Sequence, residues 1–573
     1  MKINAALRAL VWSTIVLAFP SVLGAAPADL DPTFGGSGKV TTPVGTGSET
    51  AFAVAMQSDG KIVTAGVTST GDPTRPNYDF ALVRYNADGT LDTTFNSTGK
   101  VTTPIGTGTE QAYAVALQSA GKIVAAGYSL TGSTNDFAVV RYNTNGSLDT
   151  SFNGTGKVTT KFGTGHAQGH SVAVQPDGKI VVAGESGSGD SMDFAVVRYN
   201  GDGSLDTSFY GTGKVTTGIG SGYDAARSVA VQSDGKIVLS GSTRSDNPYN
   251  AFAIVRYDAN GRLDTSFSGD GKVITNVGGA NSNAYDVVVQ TDGKILVSGR
   301  TEFNGGQMAL VRYNPDGTPD EGFGSNGIVI GTSSDWPGGI AVQADGKIAV
   351  ASNTSNGSVS HCAMVRYLAN GSLDTTFNGT GKVITPVGSA DSATAIAIQS
   401  DGKIVLAGNA IISGNQDFAV VRYQGDLTPF GAWKLQHLGN SSAPDNGDPD
   451  GDGVLTLAEY GLGLPPEASD PGLAVSFFDY AEGRRLRLFV QRDPEHNDIS
   501  VQVLAASTVA GPWSAIGTST RGAPFSGPGY VAGDGATAGV KTVEVRDTVN
   551  AADAAMRFLR VRVSVGSAPA SPD

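Results

Sequence analysis

Short apolar or alternating runs follow one another through the chain as far as Gln424, each closed by Gly, Asn or Asp. In the third period they are GKVTTKFG, HSVAVQ, KIVVAG and DFAVVRYN. Their length and their Val, Ile, Thr, Tyr and Phe content predict β-strands. The middle pair is joined by Asp-Gly, a hairpin signal, because a type I′ turn needs positive φ. Four short antiparallel strands per period predict one blade of a β-propeller. Such a sheet has two faces to cover. FAVV and VAVQ are apolar enough on both to be covered by neighbouring blades.

The pattern is written seven times, with small departures. LDxTF…GKV places its Phe at Phe34, Phe95, Phe152, Phe209, Phe267, Phe323 and Phe377. QxDGKI begins at Gln57, Gln118, Gln175, Gln232, Gln290, Gln343 and Gln399. FAVVRY carries Arg84, Arg141, Arg198, Arg256, Arg312, Arg366 and Arg422. The Phe and Arg markers recur every 54 to 61 residues, a spacing of solenoids, arrays and propellers. The array opens with a lone GKVTTPVG (Gly38–Gly45) and ends with DFAVVRYQ. If VAVQ is the innermost strand, the first GKVTT becomes the outer strand of the last blade and clasps a ring. A solenoid would instead show distinct capping repeats.

With DGKI(V), FAVVRYN and GSLDTSF in hand, the stretch from Leu30 to Gln424 resembles the bacterial delta-60 repeat of secreted β-propeller proteins. The resemblance implies a propeller and no defined biochemical activity. The expected architecture is all-β: a signal peptide over 1–25, a seven-bladed β-propeller over 28–426, a short helical calcium-loop linker over 427–468, and a small C-terminal β-sandwich over 470–567.

Residues repeated in every blade belong to the blade. Each repeated Arg is expected to pair with a carboxylate in the following turn or in a neighbouring blade; the LD aspartates Asp31, Asp92, Asp149, Asp206, Asp264, Asp320 and Asp374 are structural by the same logic. Cys362 occupies a slot held elsewhere by Phe80, Phe137, Phe194, Phe252, Met308 and Phe418, so it reads as a buried apolar filler.

Function on the propeller then belongs to what differs between repeats. The connections after GKVTT and after KIVVAG vary and would share one face, and variable loops on a rigid scaffold are where binding sits. Before the inner strands stand Glu49, Glu110, Ala167, Asp224, Ser282, Asp335 and Asp391. The five acids would line the channel mouth and attract a cation or basic ligand, or act as solvated loop carboxylates accepting backbone N–H groups. His166, His170, Tyr223, Arg227, Arg244, Tyr249, Phe303 and Trp336 are aromatic and cationic outliers on that face, suited to a sugar or peptide.

Composition narrows the class. The 573 residues include 79 Gly, only 16% charged residues and a net charge of −14. That balance disfavours nucleic acid, which needs a basic face. Lys2 and Arg8, the apolar run from Ala9 to Phe19 and the small residues at Gly24–Ala26 predict a signal peptide. The mature protein is expected to be secreted or on the cell surface, with no transmembrane segment after cleavage. With one cysteine, no internal disulfide forms and the fold stands on its core.

Beyond the array, DPDGDGVLTLAE (Asp448–Glu459) fits D-x-D-x-D-G-x5-E. Asp448, Asp450, Asp452, the Val454 carbonyl, Thr456 and bidentate Glu459 would supply the oxygens Ca²⁺ needs, with Gly453 permitting the sharp turn. The loop resembles an EF-hand, and more narrowly a dockerin calcium loop, but it is a single copy, and GNSSAPDNG breaks any entering helix. A structural ion is therefore expected. From about Ala474 to Val565, RRLRLFVQR, DISVQVLAAST, KTVEVRD and MRFLRVRVSV alternate as strands of a β-sandwich, with Trp513 in or beside its core. The expected function is a non-enzymatic scaffold for binding or adhesion to a carbohydrate or protein outside the cell. The alternative is a carbohydrate lyase or hydrolase with its site on the variable-loop face.

Overall fold

The structure, a computed structural model, describes residues 28–69, 77–244, 249–332, 335–355, 359–426 and the backbone of seven strands between 475 and 565. Seven four-stranded antiparallel sheets form a seven-bladed propeller. Blade 1 comprises Glu49–Met56, Ile62–Ser69, Tyr78–Tyr85 and Lys100–Thr103, from inside out. Blades 2 to 6 repeat this order, and their inner strands are Glu110–Leu117, His166–Val174, Asp224–Val231, Ser282–Val289 and Trp336–Val342. Blade 7 is built from Asp391–Ile398, Ile404–Ile412 and Asn415–Tyr423, with Lys39–Thr42 from the start of the array as its outer strand. The clasp register pairs Lys39 with Val421 and Thr42 with Phe418. Among the described residues helical turns are confined to Ser119–Gly121 and Phe303–Gly305, and no helix there is long and apolar enough to cross a membrane.

The Asp-Gly hairpins differ in detail from the expected type I′ turn. Gly60 is left-handed (φ 81°) while Asp59 is not. Gln57 N–H reaches the Lys61 carbonyl at 2.9 Å and Gly60 N–H the Gln57 carbonyl at 3.0 Å. That is a type I turn closed by a glycine bulge, which asks positive φ of one residue instead of two. The Asp59 carboxylate accepts the Lys61 N–H at 3.2 Å.

The core lies between blades, where apolar clusters join each blade to the next. Second strands such as Ile62–Ser69 are buried throughout because both sheet faces meet a neighbour. Each repeated Arg pairs through Nε with its LD aspartate at 2.7–2.8 Å, the turn carboxylate the sequence predicts. Each guanidinium also lies 4.3–4.7 Å from the centroid of the marker Phe. A second guanidinium nitrogen donates to a turn in the next blade: Arg198 to the Ala259 carbonyl at 2.6 Å, Arg312 to that of Ala369 at 2.6 Å, and Arg366 to the Asp426 carboxylate at 2.9 Å. Burial alone would raise these aspartates, but local hydrogen bonds and the cations hold all seven below the ordinary value, Asp264 at about 2. Cys362 is buried in its Phe slot, and burial first, then the Asp391 charge, push its thiol far up.

The C-terminal strands form two antiparallel sheets. One runs Val475–Tyr480, Gly483–Arg492, Lys541–Asn550, Tyr530–Ala532; the other runs Ser514–Thr520, Ile499–Ala506, Phe558–Val565. The predicted signal peptide, the helical linker, Trp513 and the calcium-loop residues Asp448, Asp450, Asp452, Val454, Thr456 and Glu459 lie outside the described residues.

Candidate functional site: the channel wall

Every inner strand is interrupted by a bulge at the same level, between Ala51 and Ala53 in blade 1 and between Gly169 and Ser171 in blade 3, for example. A bulge leaves one residue outside the ladder and re-aims its side chain. The residues at this level are Phe52, Tyr113, His170, Arg227, Tyr285, Gly338 and Thr394, with Gly339 beside Gly338 also outside the ladder in blade 6. On blades 1 to 4 successive ones touch, and blade 7 reaches back to blade 1. Phe52 and Tyr113 have ring centroids 5.0 Å apart, and Tyr113 and His170 5.2 Å. Arg227 Nη1 donates to His170 Nε2 at 2.8 Å, and Thr394 Oγ1 donates to the Ala51 carbonyl at 2.6 Å. The inner strands are the innermost of each blade, so these residues form the wall around the axis. The wall is uneven: three rings on blades 1 to 3, a cation on blade 4, a phenol on blade 5, and no side chain at Gly338 on blade 6.

Second strands add a layer. Tyr128 stacks on Tyr113 at 5.9 Å. Glu185, on Ile180–Ser188, accepts the Tyr223 hydroxyl at 2.8 Å and faces Arg227 Nη2 and His170 Nε2, each at 3.6 Å. Burial would raise Glu185, but hydrogen bonding and the Arg227 charge hold it below the ordinary range, so it stays ionised. Burial keeps His170 neutral, with the Arg227 charge acting the same way. Burial, then the Glu185 charge, pushes the Tyr223 phenol up to about 12, and Tyr113 and Tyr285 are raised by burial as well. Near neutrality this network holds one balanced ion pair, one neutral imidazole and several protonated phenols. Arg227 keeps 35% of its side chain exposed. The groups can stack on a ligand's apolar face and exchange hydrogen bonds with its polar rim. The imidazole lone pair is already met by Arg227, and the Tyr223 proton by Glu185.

The acidic row sits elsewhere. Glu49, Glu110, Asp224, Asp335 and Asp391 are 0–3% exposed, so they do not form an open ring at the mouth. In blades 1, 2, 4 and 7 the loop before the inner strand folds back over its carboxylate. Glu49 accepts the N–H groups of Val44 (2.6 Å) and Gly45, and the Thr68 hydroxyl at 3.2 Å. Glu110 accepts Gly106 N–H at 3.0 Å, Asp224 accepts Ile219 N–H at 2.6 Å, and Asp391 accepts Val387 N–H at 2.9 Å. Asp335 binds the Lys382 ammonium at 2.7 Å. Glu49, Glu110, Asp224 and Asp391 are the N–H-accepting loop carboxylates of the second expectation, buried where solvated ones were pictured. Asp391 also accepts the Cys362 N–H of blade 6 and meets His361 Nδ1 at 3.0 Å, and the structure does not bring the five together. Trp336 is 52% exposed, with the Arg300 guanidinium 3.8 Å above its ring.

Of the predicted outliers the structure gathers His170, Tyr223 and Arg227. His166 is exposed and accepts the Asn135 N–H at 3.3 Å. Glu185, Phe52, Tyr113, Tyr128 and Tyr285 were not among the predicted site residues. The available signal was the residue between the small residues of AFA, AYA, GHS, ARS, AYD and ATA, which changes type from repeat to repeat along a strand that otherwise stays small and aliphatic.

Seven stretches of the chain, 57–95, 118–152, 175–209, 232–267, 290–323, 343–377 and 399–429, match the family described as domain of unknown function (DUF5122) beta-propeller. No curated protein matches. Among solved structures, a polysaccharide lyase of the PL25 ulvan lyase family bound to -[GlcA(1-4)Rha3S]- is similar at TM-score 0.40 and 10% identity, covering 68% of this chain and 96% of that one. Polysaccharide lyase Uly1 is similar at TM-score 0.40 and 12% identity, covering 67% and 91%. The endo-arabinase from Bacteroides thetaiotaomicron VPI-5482 reaches TM-score 0.26 and 12% identity, covering 45% and 94%.

Proposed function

We propose that the protein is an exported, non-enzymatic binding propeller whose ligand is a saccharide held at the channel wall. The observation that carries this reading is the Arg227–His170–Glu185–Tyr223 network beside the Phe52–Tyr113 rings. It occurs once in a molecule that otherwise repeats itself seven times. Aromatic faces accept the C–H face of a sugar ring, and convergent polar groups fix its hydroxyls. The protons of the network are engaged by neighbours, which suits recognition better than turnover. Export rests on the signal-peptide pattern. The single acidic loop Asp448–Glu459 is proposed to take a structural Ca²⁺, with affinity on the order of 10⁻⁴–10⁻³ M as in extracellular modules. The C-terminal strands are read as a sandwich serving attachment.

The test is a screen of neutral and acidic oligosaccharides by calorimetry, with product release followed in parallel. Binding is expected, and Arg227→Ala and Tyr113→Ala should each weaken it at least tenfold at a temperature where both variants are still folded. Release of product that vanishes in His170→Ala would replace this reading with the carbohydrate-active enzyme. Separately, absence of heat and of stabilisation on adding Ca²⁺ would end the metal assignment.

A further inference from the structure

Six of the seven seams between blades are filled in one way. After each outer strand the chain runs Thr-x-(Val, Ile or Phe)-Gly, at Thr42–Gly45, Thr103–Gly106, Thr160–Gly163, Thr217–Gly220, Thr275–Gly278 and Thr385–Gly388. The threonine hydroxyl meets the buried tyrosine of the next blade, as in Thr103 with Tyr142 at 2.8 Å and Thr385 with Tyr423 at 2.7 Å. The apolar residue, Val44, Ile105, Phe162, Ile219, Val277 or Val387, packs into the seam core.

The seam between blades 5 and 6 has neither part. Its outer strand, Ile328–Ile330, is followed by Gly-Thr-Ser-Ser, and three residues separate Gly331 from Asp335 where the other loops have five or six. Gly331 stands in the threonine slot. The Tyr367 hydroxyl turns to the Met308 sulfur at 3.6 Å, and a Cβ placed on Gly331 would lie 3.4 Å from that hydroxyl. Among the described residues, the seam cluster contains none from the loop. In five other seams an outer-strand lysine crosses to a loop carbonyl, such as Lys157 to Pro104 at 2.6 Å. Here Lys382 folds onto Asp335 and Thr354. What remains is a cavity of about 720 Å³ bounded by Val329, Ile330, Tyr367, Leu373 and Ile384, a size typical of ligand pockets.

We propose that this seam is a binding pocket for a partner polypeptide carrying an extended Thr-x-(Val, Ile or Phe)-Gly segment. The occupant is defined by the six other seams, which show what fills the same walls. A β-branched or aromatic side chain covers the apolar surface, and a hydroxyl pairs with Tyr367. A second copy of this chain is a poor source, because its six segments of that type are seated in their own seams.

The experiment uses the full chain and a fluorescent peptide with the sequence of Lys39–Gly47, followed by anisotropy. Saturable binding is expected, and a peptide with Asn at the Thr42 and Val44 positions should bind at least tenfold more weakly. A variant carrying the Thr42–Ser48 sequence in place of Gly331–Ser334 should lose the peptide by tenfold or more while melting a few degrees higher. Ile384→Lys reads the same loss should the grafted loop fail to fold. Absence of saturable binding, equal affinity for the Asn peptide, or unchanged affinity in a folded graft overturns the proposal. So does self-association of the unmodified chain that the graft abolishes, which would make a second copy the occupant.

Discussion

The rim and the channel of this propeller are built from the same seven repeats, yet they treat repetition in opposite ways. At the rim every blade places the same Arg, Asp and Phe in the same contacts. At the channel the one equivalent position holds Phe, Tyr, His, Arg, Tyr, Gly and Thr. A rim residue meets an identical neighbour seven times, so one solution serves all blades. A bulge residue faces a shared opening, where seven copies of one side chain would compete for the same space. Two arginines therefore mean different things: Arg198 joins adjacent blades, while Arg227 faces the opening.

The comparison can be broken most directly by matched substitutions. Arg198→Met should cost about 3–5 kcal/mol in urea unfolding, because buried Asp206 loses its closest cation and keeps only Lys179 at 3.6 Å. Arg227→Met should cost less, about 1–2 kcal/mol, because this part-exposed arginine leaves Glu185 the Tyr223 hydroxyl, and it should weaken ligand binding as well. Equal losses of stability from both would erase the distinction.

Acid should attack the rim next. The seven rim aspartates titrate below their ordinary value in the folded chain. Between the folded and unfolded values the unfolded chain binds more protons, so stability rises with pH across that window. Their contribution should be complete above about pH 4 and lost as pH falls towards about 2. The urea midpoint followed from pH 5 downwards checks this, and Asp264→Asn should make the fall shallower.

Two smaller effects sharpen the picture. Tyr142→Phe should cost about 1 kcal/mol, since it strands the Thr103 hydroxyl, whereas Tyr367→Phe gives up only a sulfur contact and should cost less. Glu110→Gln should be nearly neutral at pH 7. Burial raises this carboxyl, with Asp79 adding to the rise, and the stability it lends is lost as pH climbs past its folded value, a loss a glutamine does not share. Chemical denaturation of the three variants side by side gives the order.

Much of this was legible in the chain. Blade number, closure by Lys39–Thr42, the arginine–aspartate pairs and the buried Cys362 all follow from position within a repeat. The acidic row was placed on the correct strand ends. Its burial was hidden, because only the fold-back of Val44–Gly45 over Glu49 reveals it. The channel wall was partly hidden for a related reason. A bulge adds one residue to the alternation, so simple counting assigns Tyr113 and Tyr285 to no particular face, and only the geometry of the ladder shows that they are offset. Glu185 comes from a different strand, and nothing in its local sequence ties it to Arg227.

The clasp carries a consequence for how the molecule is made. Asp31 and Arg422, 391 residues apart, sit in the same blade and bond to each other. On a ribosome adding roughly 5–20 residues each second, the opening strand waits about 20–80 s for its counterpart. Until then blade 7 lacks an edge and the circle stays open. Moving the termini to another junction, so that all four strands of that blade are contiguous, should hasten closure while leaving the finished ring unchanged.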